Sequence, residues 1–190
     1  AHIFEGQYGW SSPGGLSICR TDNGKLIMAA HTRTTFKENW FFYLQTKQMF
    51  FTENDWPVLH PCEYSGEELT ALTETKIVGV YDTILTQRDP LYEKNSNGVN
   101  VNVADATATK SKVLVLKSDN TISGEYSGSW SLSADGINIT IDLKDINNNS
   151  LGKFKGIVSK GIDFARKGTK TNRYTISFST ICDEVNATER

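Results

Sequence analysis

Three short stretches in the first third of the chain decide its fold. They are Gly-Lys-Leu-Ile-Met-Ala-Ala-His-Thr-Arg at residues 24–33, Gln-Met-Phe at residues 48–50 and Glu-Asn-Asp-Trp-Pro-Val at residues 53–58. The Asn23-Gly24 pair predicts a tight hairpin turn, because it readily supplies the positive φ that primed turns require. We therefore expect an antiparallel hairpin whose second strand ends in the polar tip His31-Thr32-Arg33.

A long aromatic strand is predicted after this hairpin, over residues 39–51. Its apolar side chains alternate onto both faces, so we expect it to be covered on both sides. Asn54-Asp55 predicts the next turn, and Trp56-Pro57-Val58 begins a short edge segment. A sheet of three or four strands is marginally stable by itself, and its aromatic side chains would leave an apolar patch exposed. We therefore expect this segment to pack against another chain or a further part of the protein.

The rest of the chain predicts a second set of short strands. Polar and acidic residues 63–74 predict a linker or one helical turn, after which short apolar runs recur between Gly, Asn and Asp turns. The pattern predicts an all-β chain with two units, residues 1–68 and residues 69–190. We expect the second unit to be a small closed barrel or sandwich with Trp130 in its core. The predicted strands are residues 16–20, 26–31, 39–51, 77–85, 112–116, 124–132, 137–143, 152–158 and 173–179, with a weak one at 99–103.

Composition argues against two classes of partner. The 190 residues have a formal net charge of −2, and Lys and Arg are scattered, so we expect no nucleic acid. No apolar run approaches the ~20 residues that cross a bilayer, so we expect no membrane insertion. The three cysteines form neither a metal knuckle nor a complete disulfide framework. We expect buried or half-buried free thiols, with a bridge between Cys19 and Cys62 as the alternative to free thiols at Cys19, Cys62 and Cys182.

A series of short motifs, taken in order, resembles the C-terminal part of the endo-1,5-α-L-arabinanases of glycoside hydrolase family 43. The likeness covers most of the chain. It implies the last blade of a five-bladed β-propeller followed by an accessory β-barrel. The residues that carry it are Pro13-Gly14-Gly15-Leu16-Ser17, Ala30-His31-Thr32-Arg33, Gln48-Met49-Phe50, Asp55-Trp56-Pro57-Val58, Tyr64-Ser65-Gly66-Glu67, Gly124-Glu125-Tyr126-Ser127-Gly128-Ser129-Trp130 and Gly152-Lys153-Phe154-Lys155-Gly156.

The resemblance also implies an activity for the complete assembly: hydrolysis of α-1,5-L-arabinofuranosidic bonds in arabinan or a similar plant polysaccharide. It implies an extracellular, periplasmic or cell-surface location. Inverting hydrolysis needs a carboxylic acid and a carboxylate on opposite faces of the bond, and the family supplies both from earlier blades. We therefore expect no catalytic residue in this chain and no turnover by it alone. The remaining blades, in the same or a separate chain, are the expected partner. The solvated turn carboxylates are Glu53, Asp55, Glu67 and Glu68.

The substrate-channel candidates implied by the resemblance are Gly14, Gly15, Ser17, His31 and Arg33. Arg33 would donate to sugar hydroxyls or to a catalytic carboxylate of another blade. The plainer alternative is a hydrogen-bonded strand end at His31 with Arg33 in a salt bridge. Gly14 and Gly15 would permit close approach of a sugar to the backbone, or would simply form a turn.

The resemblance implies a metal question as well. In the family a histidine faces a metal such as calcium in the propeller channel. Gly15 stands where that histidine is expected, and Leu16 follows it; neither offers a metal ligand. We therefore expect this chain to bind no metal and no other cofactor.

Two functions of other classes remain open alternatives. One is a stand-alone β-sandwich module that binds carbohydrate without cleaving it, and the other is a structural domain at a cell surface. Exposed tryptophans can stack on sugar rings. Trp10, Trp40 and Trp56 are the candidates for such stacking, although we expect each of them to pack in a core.

Overall fold

The chain is all-β, as its sequence predicts. The computed structural model describes residues 10–34, 42–85, 92–94, 100–102, 111–164 and 166–182. Within these ranges the strands form a four-stranded sheet, a seven-stranded sheet and an isolated two-stranded pair, β6 (Tyr92–Lys94) and β7 (Asn100–Asn102). Helical structure in the described residues is limited to α1 (Glu74–Ile77) and a 3₁₀ turn (Lys170–Arg173). No helix in those ranges has the length and apolar character that crossing a bilayer requires.

The four-stranded sheet is a simple antiparallel meander of β1, β2, β3 and β4 in chain order. Such a meander is the arrangement of one propeller blade. The strands begin and end close to their predicted positions, but β1 and β2 are longer than predicted because their ladder continues to Trp10 and Thr34. Their bounds are β1 (Trp10–Arg20), β2 (Leu26–Thr34), β3 (Tyr43–Phe51) and β4 (Pro57–Leu59).

The hairpin turns lie where they were predicted, but the first has a different geometry. The backbone N–H of Gly24 donates to the carbonyl of Thr21, and only Gly24 of the loop has positive φ, at 83°. The result is a three-residue loop with glycine in the left-handed position, so the tight turn is present but is not of the primed type that the Asn23-Gly24 pair indicated. The same hydrogen-bond pattern recurs at residues 52–56, 117–121 and 145–149, with positive φ at Asp55, Asn120 and Asn148.

The seven-stranded sheet curls into a nearly closed barrel. Its strand order is β13-β12-β11-β10-β9-β8-β5, and every pairing is antiparallel. The two edge strands approach each other, since the rings of Tyr81 and Phe178 lie 5.1 Å apart. The bounds are β5 (Gly79–Thr83), β8 (Lys112–Leu116), β9 (Thr121–Gly124), β10 (Ser127–Leu132), β11 (Asn138–Lys144), β12 (Ser150–Ile162) and β13 (Tyr174–Cys182).

A single apolar cluster fills the barrel, and Trp130 lies in it as predicted, with 3% of its surface exposed. The indole Nε1–H of Trp130 donates to the carbonyl of Lys117 at 2.9 Å, so its one polar group is satisfied. Tyr81 donates from its hydroxyl to the carbonyl of Ile77 at 2.5 Å, and burial raises its pKa to about 12. The buried members of this cluster are Leu72, Ile77, Leu114, Leu116, Ile122, Tyr126, Trp130, Ile139, Ile141, Leu143 and Val158.

Two predicted strands were wrong in detail. The strand predicted over residues 77–85 is shorter, because residues 74–77 form one helical turn that buries Ile77 completely. The strand predicted over residues 124–132 is interrupted at residues 125–126, where the chain turns from β9 into β10. Gly124 has a φ of 112° at this corner, and a Cβ there would lie 2.4 Å from the Val113 carbonyl oxygen.

Two side-chain predictions also need correction. Trp56 is 39% exposed, because it lies in the loop between β3 and β4. Cys19 is exposed on β1 while Cys62 and Cys182 are half-buried, and no disulfide bond joins any two of them. Residues 39–41, with Trp40, fall outside the described residues, as do His2 and the side chain of Trp10.

The sheet and the barrel pack together through one small apolar cluster. Phe50 and Val58 are directly paired on β3 and β4, and they pack against Ile157 of β12. Leu69 and Ile137 extend the contact from the connecting segment and from the loop before β11. Because paired residues share a face of the sheet, one face of the blade rests on the outer surface of the barrel.

Candidate functional site

The β1–β2 hairpin brings three of the predicted channel residues together. Gly14 is paired with His31, and the ladder is irregular on both sides of Gly14. A Cβ built on Gly14 would lie 2.8 Å from His31 Nε2, and one built on Gly15 would lie 2.8 Å from Nδ1. The imidazole therefore rests directly on the backbone of both glycines, and no larger residue leaves it room. Gly15 also has a φ of 60°, which favours glycine.

Phe42 links His31 to Arg33. Its ring meets the imidazole edge-on, with centroids 4.6 Å apart and an interplanar angle of 77°. The Arg33 guanidinium lies 4.2 Å from the centroid of the same ring, within the range of a cation–π contact. Phe42 remains 52% exposed, so this stack forms part of the surface. We call Gly14, Gly15, His31, Arg33 and Phe42 the tip cluster.

Two polar atoms next to this stack are buried with no hydrogen-bond partner in the described part of the chain. They are Nε of Arg33 and Oγ1 of Thr32, and Thr32 is 1% exposed. Buried polar groups are almost always hydrogen-bonded, because an unmade bond costs about 1–3 kcal/mol. Of these two atoms, only Arg33 Nε belongs to the tip cluster, because Thr32 lies between His31 and Arg33 and faces the other side of the sheet. No salt bridge of Arg33 is seen within the described residues, so the plainer alternative for this residue finds no support there.

Ser17 is apart from the tip cluster. It is exposed and paired with Ala29, two residues before His31 on β2. Since residues two apart on a strand share a face, Ser17 and His31 face the same way. Leu44, paired with His31, shares that face and is 72% exposed. The face therefore combines polar tip residues with uncovered apolar ones.

Of the four carboxylates predicted to be solvated, two bond to neighbouring residues and two lie exposed in a loop. Glu68 forms an ion pair with Lys25 at 2.6 Å and raises the pKa of that lysine. Glu67 accepts the backbone N–H of Ser65 through Oε2 at 2.9 Å. Glu53 and Asp55 lie exposed in the loop between β3 and β4. None of these contacts pairs an acid with a base across a cleft.

The residues at the expected metal position do not suit a metal ion. Calcium takes six to eight oxygen ligands. Gly15 has no side chain, and the side chain of Leu16 has no atom that can bind a metal. His31 offers a single imidazole, and that ring packs against the backbone of the two glycines. Within the described ranges no three residues among His, Cys, Asp and Glu lie close enough to hold a metal. That the chain binds no metal and no other cofactor stays a prediction.

The junction of sheet and barrel contains a buried histidine whose partners sequence reasoning missed. His60 is 5% exposed; its Nδ1 accepts the Cys62 N–H at 3.0 Å, so Nε2 carries the proton and donates to the Lys160 carbonyl at 3.1 Å. Ser177 Oγ lies 3.2 Å from Nε2. Burial lowers the pKa of His60. A Cβ on Gly161 would lie 2.3 Å from the ring, so glycine is needed there.

Lys47 is a second unexpected buried group, with 5% of its surface exposed. Its Nζ donates to the Pro61 carbonyl at 2.5 Å, and burial lowers its pKa. Burial also raises the pKa of the neighbouring Cys62 thiol. The connecting segment after β4 is thus held to β3 by a buried ammonium and to β12 by the buried imidazole.

The fold defines the class of the chain: a propeller-like antiparallel sheet joined to a nearly closed antiparallel barrel. The family model of the C-terminal lipocalin-like domain of glycoside hydrolase family 43, GH43_C, matches residues 61–188. The chain belongs to this family. The matched range includes the barrel and the segment that connects it to the sheet. The division at residue 68 stays a prediction.

Two arabinanases are similar in sequence. The extracellular endo-α-(1→5)-L-arabinanase of Thermotoga petrophila is 27% identical over 161 residues, which are 84% of this chain and 30% of that protein. Extracellular endo-α-(1→5)-L-arabinanase 2 of Bacillus subtilis is 27% identical over 123 residues, which are 64% of this chain and 23% of that protein. The chain therefore spans less than a third of the length of these relatives.

Two solved structures share the fold. The crystal structure of the Thermotoga petrophila endo-1,5-α-L-arabinanase matches with a TM-score of 0.70 at 23% identity, over 92% of this chain and 34% of that one. The family 43 YxiA protein of Bacillus licheniformis matches with a TM-score of 0.70 at 21% identity, over 91% and 33%. Both matches extend beyond the barrel, because 91–92% of this chain includes most of the four-stranded sheet.

Proposed function

We propose that this chain is the C-terminal part of an arabinan-degrading glycoside hydrolase of family 43. Residues 1–68 belong to the last propeller blade and residues 69–190 form the accessory barrel. The complete assembly hydrolyses α-1,5-L-arabinofuranosidic bonds outside the cell, and this chain alone does not. The observation that supports this most is the unequal coverage of the alignments: the two relatives named as arabinanases match 84% and 64% of this chain but only 30% and 23% of their own length.

Within that assembly the tip cluster contributes to the wall of the substrate channel. Arg33 is suited to donate, because its Nε is buried and has no partner among the described residues. Phe42 and His31 hold its guanidinium in place from one side. A sugar hydroxyl, or a carboxylate from another blade, would accept from Arg33. The acid and base of the reaction come from the other blades, and a channel metal such as calcium, where the assembly has one, takes its ligands there.

The exposed apolar side chains of the sheet support a partner of propeller type. Leu16 and Ile18 on β1 are 47% and 45% exposed, and Leu44 on β3 is 72% exposed. Blades of a propeller cover one another face to face, which would bury such side chains. A stand-alone carbohydrate-binding module, the alternative function, would leave them in water.

The first test is the intact mass of the native sample beside its denatured mass. We expect this chain to be joined to a polypeptide of propeller size, either covalently or in a non-covalent complex. We also expect that assembly to hydrolyse linear arabinan. A compact monomer without a partner, together with sugar binding, would replace this proposal with the carbohydrate-binding module.

Arg33→Met in the active assembly tests the role of the tip cluster. We expect kcat/KM on arabinan to fall by about tenfold or more, the equivalent of one charge-assisted hydrogen bond. Arg20→Met is the matched control, because Arg20 is exposed at the other end of the hairpin and, within the described part of the chain, its side chain donates only to the Gly24 carbonyl. Equal activity of both variants would remove Arg33 from the channel.

A further inference from the structure

A polar groove lies between the loop of residues 52–56 and the outer surface of the barrel. Its volume is about 170 Å³. One wall is Glu53 of the four-stranded sheet, and the floor is formed by strands β10, β11 and β12. The groove therefore exists only where the two units pack together. Its polar lining consists of Glu53, Ser131, Ser133, Asn138, Thr140 and Lys155.

The register of the barrel explains why these side chains point outward. Ser131 is paired with Thr140, and Thr140 with Lys155, so the three form one row across three strands. Their neighbours in sequence, such as Ile139, point into the barrel core. The next outward row pairs Asn138 with Ile157, and Ile157 packs on the blade. The apolar contact between the sheet and the barrel thus keeps Glu53, the wall of the groove, beside the strands that form its floor.

Most of the polar side chains that line the groove form no hydrogen bond within the described part of the chain. Among the described residues, the side chains of Glu53, Ser131, Thr140 and Lys155 have no hydrogen-bond partner. Asn138 differs, because its amide donates to Asp135 at 2.8 Å. These four side chains therefore offer a ligand one carboxylate that accepts, one ammonium that donates and two hydroxyls that can donate or accept hydrogen bonds.

This set is suited to one class of ligand. One negative and one positive charge face the same space, so neither an anion nor a cation is favoured. A polyhydroxy ligand can donate to the carboxylate and accept from the ammonium at the same time. The volume is below the roughly 300–1,000 Å³ of sites for drug-sized ligands, so the space suits a single small ring.

We propose that this groove binds one neutral sugar unit of a carbohydrate chain, at a site separate from the tip cluster. Glu53 accepts hydrogen bonds from sugar hydroxyls, Lys155 donates to ring or hydroxyl oxygens, and Thr140 and Ser131 contact the ring from below. The sugar class rests on the groove itself. The choice of arabinose as the unit rests on the proposed function.

The experiment is a titration of the ¹⁵N-labelled 190-residue chain, followed by the backbone amide shifts. The probes are α-1,5-linked L-arabinotriose, xylotriose and sodium phosphate. We expect arabinotriose to shift the amides of Ser131, Thr140 and Lys155 saturably, and phosphate to leave them unchanged. Saturable shifts with xylotriose alone would support the sugar class and overturn arabinose as the unit.

Variants with matched controls test the named contacts. Glu53→Gln, Thr140→Val and Lys155→Met should each weaken arabinotriose binding about tenfold, the loss of one good hydrogen bond. Glu63→Gln and Lys153→Met are the controls, since both residues are exposed and neither lines the groove. The amide spectrum of each variant shows directly whether it is folded.

Failure of the groove and failure of the proposed function give different results. Three results would overturn the proposal that the groove binds a sugar unit. They are the absence of localised amide shifts with either sugar, equal shifts with phosphate, and equal affinity of Glu53→Gln and its control for arabinotriose. Arabinan hydrolysis by the complete assembly would still stand in that case. Conversely, localised sugar shifts in a chain whose native sample has no partner and no arabinan hydrolysis would support the groove and overturn the proposed function.

Discussion

The barrel and the four-stranded sheet differ in how completely each buries its apolar side chains and pairs its polar ones. The barrel encloses one continuous apolar cluster, and its edge strands meet through Tyr81 and Phe178. The sheet has a small cluster around Met28 and shares a second one with the barrel. It leaves Leu44 largely exposed and Arg33 Nε without a partner among the described residues.

Under the proposed function, this difference separates a unit that buries its own core from one that further blades would cover. A sheet that curls until its edge strands meet encloses its own core, whereas a single blade has two faces and two edges to cover. The buried polar residues Lys47 and His60 belong to the junction, where the connecting segment fastens the sheet to the barrel. We therefore expect changes in the barrel to lower stability most and changes on the exposed face of the sheet to lower it least.

Trp130→Ala should have the largest effect on stability. It removes a fully packed ring from the barrel core together with the hydrogen bond from the indole to the Lys117 carbonyl, so we expect a loss of about 3–5 kcal/mol in the free energy of unfolding. Urea denaturation measures it. Trp56→Ala is the matched control, and its 39% exposed ring should cost about 1 kcal/mol at most. Equal losses would refute the contrast between the two units.

Gly161→Ala should have an intermediate effect, located at the junction. The added Cβ would lie 2.3 Å from His60 Cε1 and 3.2 Å from Cys62 Cβ, so the histidine must move or the strands must part. We expect a loss of about 1–3 kcal/mol, the usual cost of overpacking. Gly79→Ala is the control, because a Cβ there meets nothing closer than 3.9 Å. If Gly161→Ala unfolds like its control, the junction is loosely packed.

Acid should weaken the junction through His60. Burial lowers the pKa of His60 in the folded chain, so the unfolded chain, with a pKa near 6.5, binds the proton more readily. The stabilisation from neutral His60 is therefore fully present above about pH 6.5 and is lost as the pH falls through the lowered pKa. Protonation of Nδ1 would also break the bond from the Cys62 N–H. The charged groups that act on this imidazole are Glu67, which raises its pKa, and Lys47, which lowers it.

His60→Gln isolates this contribution. Urea unfolding at several pH values between about 7.5 and 5 should show the wild-type chain losing stability relative to the variant as the pH falls. The measured quantity is the difference between the two free energies of unfolding at each pH. Parallel curves for the two proteins would show that His60 does not titrate at the junction.

Local features of the fold could be predicted from sequence, because each depends on neighbouring residues. Asn120, Asn148 and Gly24 tolerate positive φ, and all three lie in loops that were predicted. The helical turn at residues 74–77 replaced the start of a predicted strand because Ile77 is buried by the barrel, which is a tertiary effect. The lengthening of β12 to Ser150–Ile162 likewise depends on its partner β13.

The sequence named four of the five residues of the tip cluster, but it also named Ser17, which lies apart from them, and it missed Phe42. Gly14 and His31 lie on the two strands of the hairpin that the sequence indicates, but the ladder is irregular on both sides of Gly14, so the hairpin loop alone does not set their pairing. The contact of Phe42 with His31 and Arg33 depends on how the chain enters β3, and no local pattern shows that. The partners of His60 lie on β12 and β13, about a hundred residues away, so sequence alone could not identify them.

Hydrogen–deuterium exchange of the 190-residue chain alone tests the central claim most directly. Local stability within a protein is reported by the exchange of individual amides. We predict that amides of β10, β11 and β12 exchange slowest, through global unfolding, while those of β1 and of the tip-cluster ends of β2 and β3 exchange faster, through separate opening of the sheet. Equal protection of sheet and barrel would contradict the account, because the four-stranded sheet would then be complete without further blades.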